Sequence, residues 1–346
     1  MSRSGRRWLV PEVVQTSAMD CGPAALKGLL EGHGVPVSYG RLREACQTEV
    51  DGTSIDVLEA VAGQLGLQAE QVMVPVDHLL RPEAEALPAL LVVRQPDGMT
   101  HFVVAWRRHG PLVQVMDPAV GRRWMTGGQL LDDVYPHTLA VPAEGWREWA
   151  ASDDFRRPLA ARLRALGVGC AAGAWIERAA ADPGWRPLAT LDATTRFVAV
   201  LVNAGGLKRG RPAGRLLHSL LERGAEPGAE AIIPDVHWSV RPVSAGPDGE
   251  EQVLIRGAVL VRIRGRSVAD ESATLSPELA AAVAEPPSRP GRVLLRWLGG
   301  AGALALLALA AGIALLAGGE LVEAVLLRGV IDLGRDLTLV EQRLAA

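Results

Sequence analysis

Cys21 stands where a thiol can become a nucleophile. It directly precedes an apolar helical pattern with Pro23 in its first turn, and the unpaired N–H groups and dipole of a helix start stabilise a thiolate. Gln15 lies six residues upstream, so its side-chain amide can fold back and donate to a developing oxyanion together with the backbone N–H of Cys21. Taken alone, a cysteine at a helix start is more often a small buried hydrophobe.

A cysteine nucleophile needs an imidazole base, and the imidazole needs an acceptor that orients it. His101 opens an apolar strand and Asp117 closes the next one. A hairpin turning about Gly110 places Asp117 opposite Val103 and makes His101 its diagonal neighbour on the same face, about 7–8 Å away. A one-residue change in the turn would put the two side chains on opposite faces. A single histidine at a strand start is also commonly a solvated or capping residue.

Three motifs resemble the bacteriocin-processing cysteine peptidases, cysteine peptidase family 39. They are Q-x-x-x-x-D-C-G-P-A from Gln15, T-H-F-V-V around His101 and D-P-A-x-G from Asp117. The resemblance covers roughly residues 10 to 142 and implies a papain-like domain. It implies Cys21 as nucleophile, His101 as general base, Asp117 as the residue that orients His101, and Gln15 in the oxyanion hole. Asp20 matches a position that is usually acidic in the family, and its ordinary role there would be helix capping.

The resemblance also implies a substrate and partners. Family peptidases remove a leader that ends in a double glycine from a precursor peptide, and they are fused to homodimeric ATP-binding-cassette exporters in the membrane. The alternative is a catalytically silent, peptidase-like module that only docks a substrate for an exporter. G-x-x-x-x-G-K-[ST] does not occur in the sequence. We therefore expect no cofactor in this chain, with ATP and Mg²⁺ belonging to an ATPase domain or subunit elsewhere, and an exporter's N-terminal portion is the simplest interpretation.

The patterns around these residues predict an α+β fold, with helices first and an antiparallel sheet after them. Helices are expected at GPAALKGLLEGHG, at VSYGRLREAC and from Ser54 to Leu65, and strands at ALPALLVVR, HFVVAWR and LVQVMDP. This peptidase domain is assigned to residues 1–145. Residues 146–290 are expected to form a second small α+β domain that ends in a Pro-rich linker, with a hairpin between HWSVRPV and QVLIRGAVLVRIRG.

An uncharged run from Trp297 to Gly319 is long enough to cross a bilayer. Residues 291–346 are therefore expected to hold the first transmembrane helix and the start of an exporter membrane domain. Arginines precede the run and glutamates follow it, so the N-terminal side is expected to face the cytoplasm. The expected location is the inner (plasma) membrane, with the peptidase domain on the cytoplasmic side.

Charge and cysteine content argue against several other classes of protein. A formal net charge of −3 gives no indication of nucleic acid as a partner. The three cysteines are odd in number and widely spaced, so neither a disulfide framework nor a metal site is expected. Cys46 and Cys170 stand among small apolar residues, and both are expected to be buried.

Overall fold

Three helices open the chain, as the apolar spacing predicts. The computed structural model describes residues 6–47, 52–224, 232–243, 250–267, 275–285, 290–300 and 302–336. The first helices are α1 (Cys21–Gly32), α2 (Tyr39–Ala45) and α3 (Ile55–Gln64). Ser54 caps α3 by accepting the N–H of Val57 at 3.3 Å, as expected from the sequence.

An antiparallel sheet follows these helices. The strands that the described residues form are β1 (Leu67–Val74), β2 (Ala89–Arg94), β3 (Thr100–His109), β4 (Leu112–Asp117), β5 (Gly121–Thr126), β6 (Pro136–Pro142), β7 (Val240–Pro242) and β8 (Gln252–Arg266). Their order is β1-β8-β2-β3-β4-β5, and β6 and β7 also pair with β8. The α+β arrangement is therefore confirmed for this part of the chain.

The β3–β4 hairpin has two registers joined by a bulge. Next to the Gly110-Pro111 turn, His109 pairs with Leu112. Between Ala105 and Arg107 the register shifts by one residue, so that beyond this point Val104 pairs with Met116. This is the register expected from the sequence, and continuing it places Asp117 opposite Val103. The bulge at Trp106 thus puts His101 and Asp117 on one face of the sheet.

Two apolar cores cover the two faces of the sheet. On one face α1, α2 and α3 pack on Val104 and Trp106, and a Cβ at Gly32 would overlap the Trp106 ring. On the other face the core includes Val103, Val115 and Leu130. Leu130 belongs to α4 (Gly127–Asp133), whose capping residue Thr126 forms a capping box with Gln129. Together these cores fix the sheet end that carries the predicted site.

The region after residue 142 is mainly helical and has a core of its own. It contains α5 (Ala143–Ala151), α6 (Asp153–Ala165), α7 (Gly169–Ala181), α8 (Arg186–Asn203) and α9 (Arg211–Gly224). Trp146, Trp185 and Trp238 are buried in this core. The chain is extended at Ser152, which separates α5 from α6.

The second small domain expected at 146–290 is not confirmed. Strand β8 leaves this region and lies between β1 and β2 in the sheet of the N-terminal region, while also pairing with β7 as expected. At Gly257 the β1 backbone comes so close that a Cβ would overlap the carbonyl of Val74. Helix α10 (Pro277–Ala284) then adds Leu279 to the core that holds α1. By contacts, Met1–Pro286 forms one unit.

The remaining unit, Pro287–Ala346, contains α11 (Pro290–Gly300) and α12 (Gly302–Asp336). Within the described residues, one stretch of helix, Leu306–Asp332, is long and apolar enough to cross a membrane, judged by length and composition. The expected run from Trp297 to Gly319 is therefore not one helix: it is divided between α11 and α12, and the apolar helix extends further toward the C-terminus.

Candidate active site

Cys21 is the first residue of α1 and is partly exposed. The backbone N–H groups of Gly22 and Phe102 donate hydrogen bonds to its sulfur, and the side chain of His101 hydrogen-bonds the same atom. Gly22 packs closely against Leu58: a Cβ at this position would lie only 3.2 Å from Cδ1 of that side chain. The helix start, the neighbouring strand and the imidazole therefore converge on the thiol.

His101 is buried, 5% exposed, and lies between Cys21 and Asp117. Its Nε2 donates to Oδ1 of Asp117 at 2.8 Å, which leaves Nδ1 as the ring nitrogen for the thiol. Oδ1 of Asp117 also accepts the N–H of Ala119 at 2.9 Å, an interaction within the D-P-A-x-G turn. These bonds fix the orientation of the imidazole.

The charges of the three side chains reinforce one another. Burial raises the pKa of the Cys21 thiol, but the hydrogen bonds from His101, Phe102 and Gly22 outweigh burial and leave that pKa below its ordinary value. Burial lowers the pKa of His101, but the hydrogen bonds to Asp117 and Cys21 raise it to about 9. Both shifts favour a thiolate beside an imidazolium, the form of this pair that attacks a carbonyl.

Asp117 has a second partner that the sequence analysis missed. Arg123 on β5 places Nη2 3.1 Å from Oδ2 of Asp117. Burial raises the pKa of Asp117, but the bonds from His101 and Ala119 and the charge of Arg123 hold it below its usual range. The sequence carried a signal for Arg123: Asp117 pairs with Gly121 across the turn, so Arg123 pairs with Val115 on the face that carries Asp117.

Gln15 lies in the loop that leads into α1, next to the turn after Asp117. Its backbone N–H donates to the carbonyl of Pro118 at 2.9 Å. Its side-chain Oε1 is buried and has no hydrogen-bond partner among the described residues. The fold thus brings His101 into contact with both Cys21 and Asp117, and joins the backbone of Gln15 to the residue after Asp117.

Asp20 does not cap α1, contrary to the helix-capping role expected from its position. Its side chain makes no capping hydrogen bond, and its φ and ψ of −92° and 9° differ from the extended backbone usual at a cap. The carboxylate is fully buried and instead pairs with Arg43, with Nε 2.9 Å from Oδ1. A local sequence pattern could not predict this long-range partner on α2.

The other two cysteines have different settings. Cys46 is buried as expected, and burial raises its pKa to about 12. Cys170 is exposed at the start of α7, so the expectation that it is buried is wrong. Its position among alanines reflects a helix surface of small residues rather than a core. Among the described residues, no group of three or more His, Cys, Asp or Glu side chains is arranged to hold a metal ion.

The part of the chain that carries this site matches a known protein family. Residues 10–134 match the model of the Peptidase C39 family, whose members are cysteine peptidases. An uncharacterized protein of Methanothermobacter marburgensis is 31% identical over 119 residues, which are 34% of this chain and 79% of that protein. The chain belongs to the Peptidase C39 family.

A longer relative shows the setting in which such domains occur. The lactococcin-G-processing and transport ATP-binding protein LagD of Lactococcus lactis is 27% identical over 110 residues, which are 32% of this chain. The match spans only 16% of that relative's length. The crystal structure of a double glycine motif protease from an AMS/PCAT transporter, solved with its leader peptide, aligns with a TM-score of 0.33 at 23% identity. That alignment covers 38% of this chain and 89% of the protease.

Proposed function

We propose that the chain is a cysteine endopeptidase that removes a double-glycine leader from a precursor peptide, coupled to export of the peptide through an ATP-binding-cassette transporter. The observation that supports this most directly is the contact of Cys21, His101 and Asp117 at the start of α1. Cys21 acts as nucleophile and His101 as the acid–base group, with Asp117 orienting the imidazole.

The chemistry follows from the charges of the pair. The Cys21 thiolate attacks the carbonyl carbon of the second glycine, and the electron pair of the C=O bond moves to oxygen. The N–H of the first helical turn and the side-chain amide of Gln15 donate to that oxyanion. The His101 imidazolium gives its proton to the leaving amine, then takes a proton from water, which releases the acyl group from sulfur.

The substrate class comes from the family. A Gly-Gly site carries no side chains, so a narrow slot admits it and excludes larger residues. Transport ATPases with a processing function, such as LagD, are relatives of this chain. We therefore propose a membrane location with the peptidase on the cytoplasmic side, and an ATPase domain or subunit and a second copy of the chain as partners.

The full chain, purified in detergent, tests this proposal. It is incubated with a peptide made of an amphipathic leader, Gly-Gly and a core, and the products are identified by mass spectrometry. Cleavage after the second glycine is expected for the wild type and for Cys46→Ala, which removes a buried thiol outside the site. Cys21→Ala should show no cleavage.

The same experiment separates the non-catalytic alternative. Equal cleavage by wild type and Cys21→Ala would contradict Cys21 as the nucleophile. Binding of the peptide without cleavage by the wild type would favour a docking module. The full chain is needed because β8 and α10 complete the sheet and core around the site, so a fragment ending at residue 145 would lack them.

A further inference from the structure

A buried carboxylate stands directly before the nucleophile. Asp20 is 0% exposed, and its backbone carbonyl accepts the N–H of Ala24 at 3.0 Å, so it is fixed to the first turn of α1. A buried ionised carboxylate is unfavourable unless it is paired, and a negative charge beside a thiol opposes thiolate formation. The proposed chemistry at Cys21 therefore requires that the charge of Asp20 be compensated.

Two side chains stabilise the buried Asp20 carboxylate. Thr16 donates its hydroxyl to Oδ2 of Asp20 at 2.8 Å, and Arg43 places Nε 2.9 Å from Oδ1. Thr16 follows Gln15, whose N–H is bonded to Pro118. The loop from Gln15 to Asp20 is therefore held at one end by the turn after Asp117 and at the other by the Asp20–Arg43 pair.

The helix that carries Arg43 is itself held by the C-terminal part of the unit. The N–H of Ser38 donates to the carbonyl of Ala282 in α10 at 2.8 Å. Leu42 on α2 and Leu279 on α10 belong to the same buried core. Arg43 thus reaches Asp20 from a helix positioned by α10, which lies outside the family match at residues 10–134.

We propose that Arg43 is a positioning residue of the candidate active site: by pairing with the buried carboxylate of Asp20, it neutralises the charge next to Cys21 and fixes the loop that carries Gln15. This inference rests on the proposed peptidase function. Arg43 touches neither the thiol nor the substrate in this account, and it acts through Asp20. The ionisable groups of the candidate active site and of the Asp20–Arg43 pair, which any pH profile of Cys21 combines, are His101, Asp117, Arg123, Asp20, Arg43 and Tyr39.

The test uses the pH dependence of Cys21 alkylation by iodoacetamide, which needs no substrate. It is carried out on the full chain in a Cys170→Ser background, because Cys170 is exposed. Cys46 is buried and its pKa is raised to about 12, so Cys21 is the thiol expected to react near neutral pH. We compare Arg43→Gln, Arg43→Lys and Asp20→Asn/Arg43→Gln with Arg41→Gln. Arg41 is an exposed arginine on the same helix, 2.9 Å from Glu44.

In Arg43→Gln the apparent pKa of Cys21 should rise by about one pH unit, since the uncompensated buried charge of the preceding residue then opposes thiolate formation. In Arg43→Lys, which keeps the charge, the pKa of Cys21 should stay close to its wild-type value. The same is expected for Asp20→Asn/Arg43→Gln, which removes both charges. Arg41→Gln should match the wild type. With the Gly-Gly peptide, Arg43→Gln should lower kcat about tenfold and leave KM nearly unchanged.

A wild-type Cys21 with a low apparent pKa that does not move in Arg43→Gln would overturn this inference and leave the proposed peptidase intact. The same holds if Arg43→Gln lowers the Tm alone, with no change in the pKa of Cys21. A wild-type Cys21 that titrates like an ordinary thiol would overturn the proposed function and this inference with it. If Arg43→Gln does not fold, the Arg43→Lys and Asp20→Asn/Arg43→Gln variants decide: a Cys21 pKa that differs strongly from wild type in both contradicts charge compensation.

Discussion

Two sites in the same unit each hold a buried histidine next to an aspartate, and they differ in what else surrounds the histidine. The candidate active site holds His101 between Asp117 and Cys21. The second site, the buried ionic cluster, comprises Asp77, His78, Arg162, Asp192 and Arg196. In the first, neighbours raise the pKa of His101 to about 9, and in the second, burial and then the charge of Arg162 lower the pKa of His78 to about 3.

The buried ionic cluster joins the family-matched region to the helices that follow it. Arg162 on α6 is fully buried, contacts Asp192 on α8 and lies 3.1 Å from Asp77, which precedes β2. Ser239 donates to Asp192 at 2.7 Å. His78 is completely buried, and neither of its ring nitrogens has a hydrogen-bond partner among the described residues. His101 therefore has a partner at each ring nitrogen and is placed to transfer a proton, whereas His78 is held in its neutral form.

The largest expected effect is the loss of the imidazole at the candidate active site. His101→Ala should lower kcat for the Gly-Gly peptide by about 10²–10⁴-fold, the range ascribed to a positioned acid–base group. The exposed His218→Ala serves as the control and should retain full activity. Turnover by His101→Ala within threefold of wild type would break the comparison, because His101 would then be no more active than His78.

Removing the central cation of the buried ionic cluster should affect stability instead. Arg162→Met leaves Asp192 buried without its main partner and should cost about 3–5 kcal/mol of unfolding free energy. Arg157→Gln, which breaks an exposed i,i+4 pair with Asp153 on the same helix, should cost less than about 0.5 kcal/mol. Urea unfolding of the full chain in detergent measures both. Equal losses from the two variants would show that the cluster does not hold the helices on the sheet.

The smallest expected effect is on the pH dependence of the free energy of unfolding, to which the two histidines contribute with opposite sign. His78 has a folded-state pKa below its unfolded value near 6.5. Burying it therefore lowers the free energy of unfolding as pH falls from 6.5, by about 1.4 kcal/mol per pH unit. His101 has a raised pKa, so its contribution is full below pH 6.5 and is lost as pH rises through about 9.

Relative to the difference measured at pH 8, His78→Leu should therefore gain about 2 kcal/mol of stability over wild type as pH falls from 6.5 to 5. At pH 8 it should differ from wild type by less than about 1.5 kcal/mol. His101→Ala should lose most stability at or below pH 6.5 and least above pH 9. Unfolding curves of each variant across this pH range check the signs, and parallel curves for the two variants would contradict the comparison.

The candidate active site was largely predictable because its residues belong to local patterns. Cys21 precedes a helix, and His101 and Asp117 end adjacent strands, so hairpin register alone placed them on one face. The register held only because the bulge at Trp106 corrects a one-residue offset that begins at the turn. Nothing in the apolar alternation of β3 marks that bulge, where the ring of Trp106 packs closely against Gly32.

The long-range features were not predictable from such patterns. Strand β8 was expected to pair with β7, but its insertion between β1 and β2 joins residues about 170 to 200 apart in the chain, and no turn or period encodes that pairing. The Asp20–Arg43 pair is similar, since a buried carboxylate at a helix start reads as a cap until its partner on α2 is known. Cys170 was misassigned because alanines cover a helix surface as readily as a core.

The most direct test of the central claim is the ultraviolet absorbance of the thiolate near 240 nm, measured against pH for the full chain and Cys21→Ser. We predict that the difference shows one thiolate at pH 7 in the wild type, and that His101→Ala moves its appearance to the pH of an ordinary thiol. An absorbance that appears only at the ordinary thiol pKa, and does so equally with and without His101, would contradict the thiolate–imidazolium pair on which the proposed function depends.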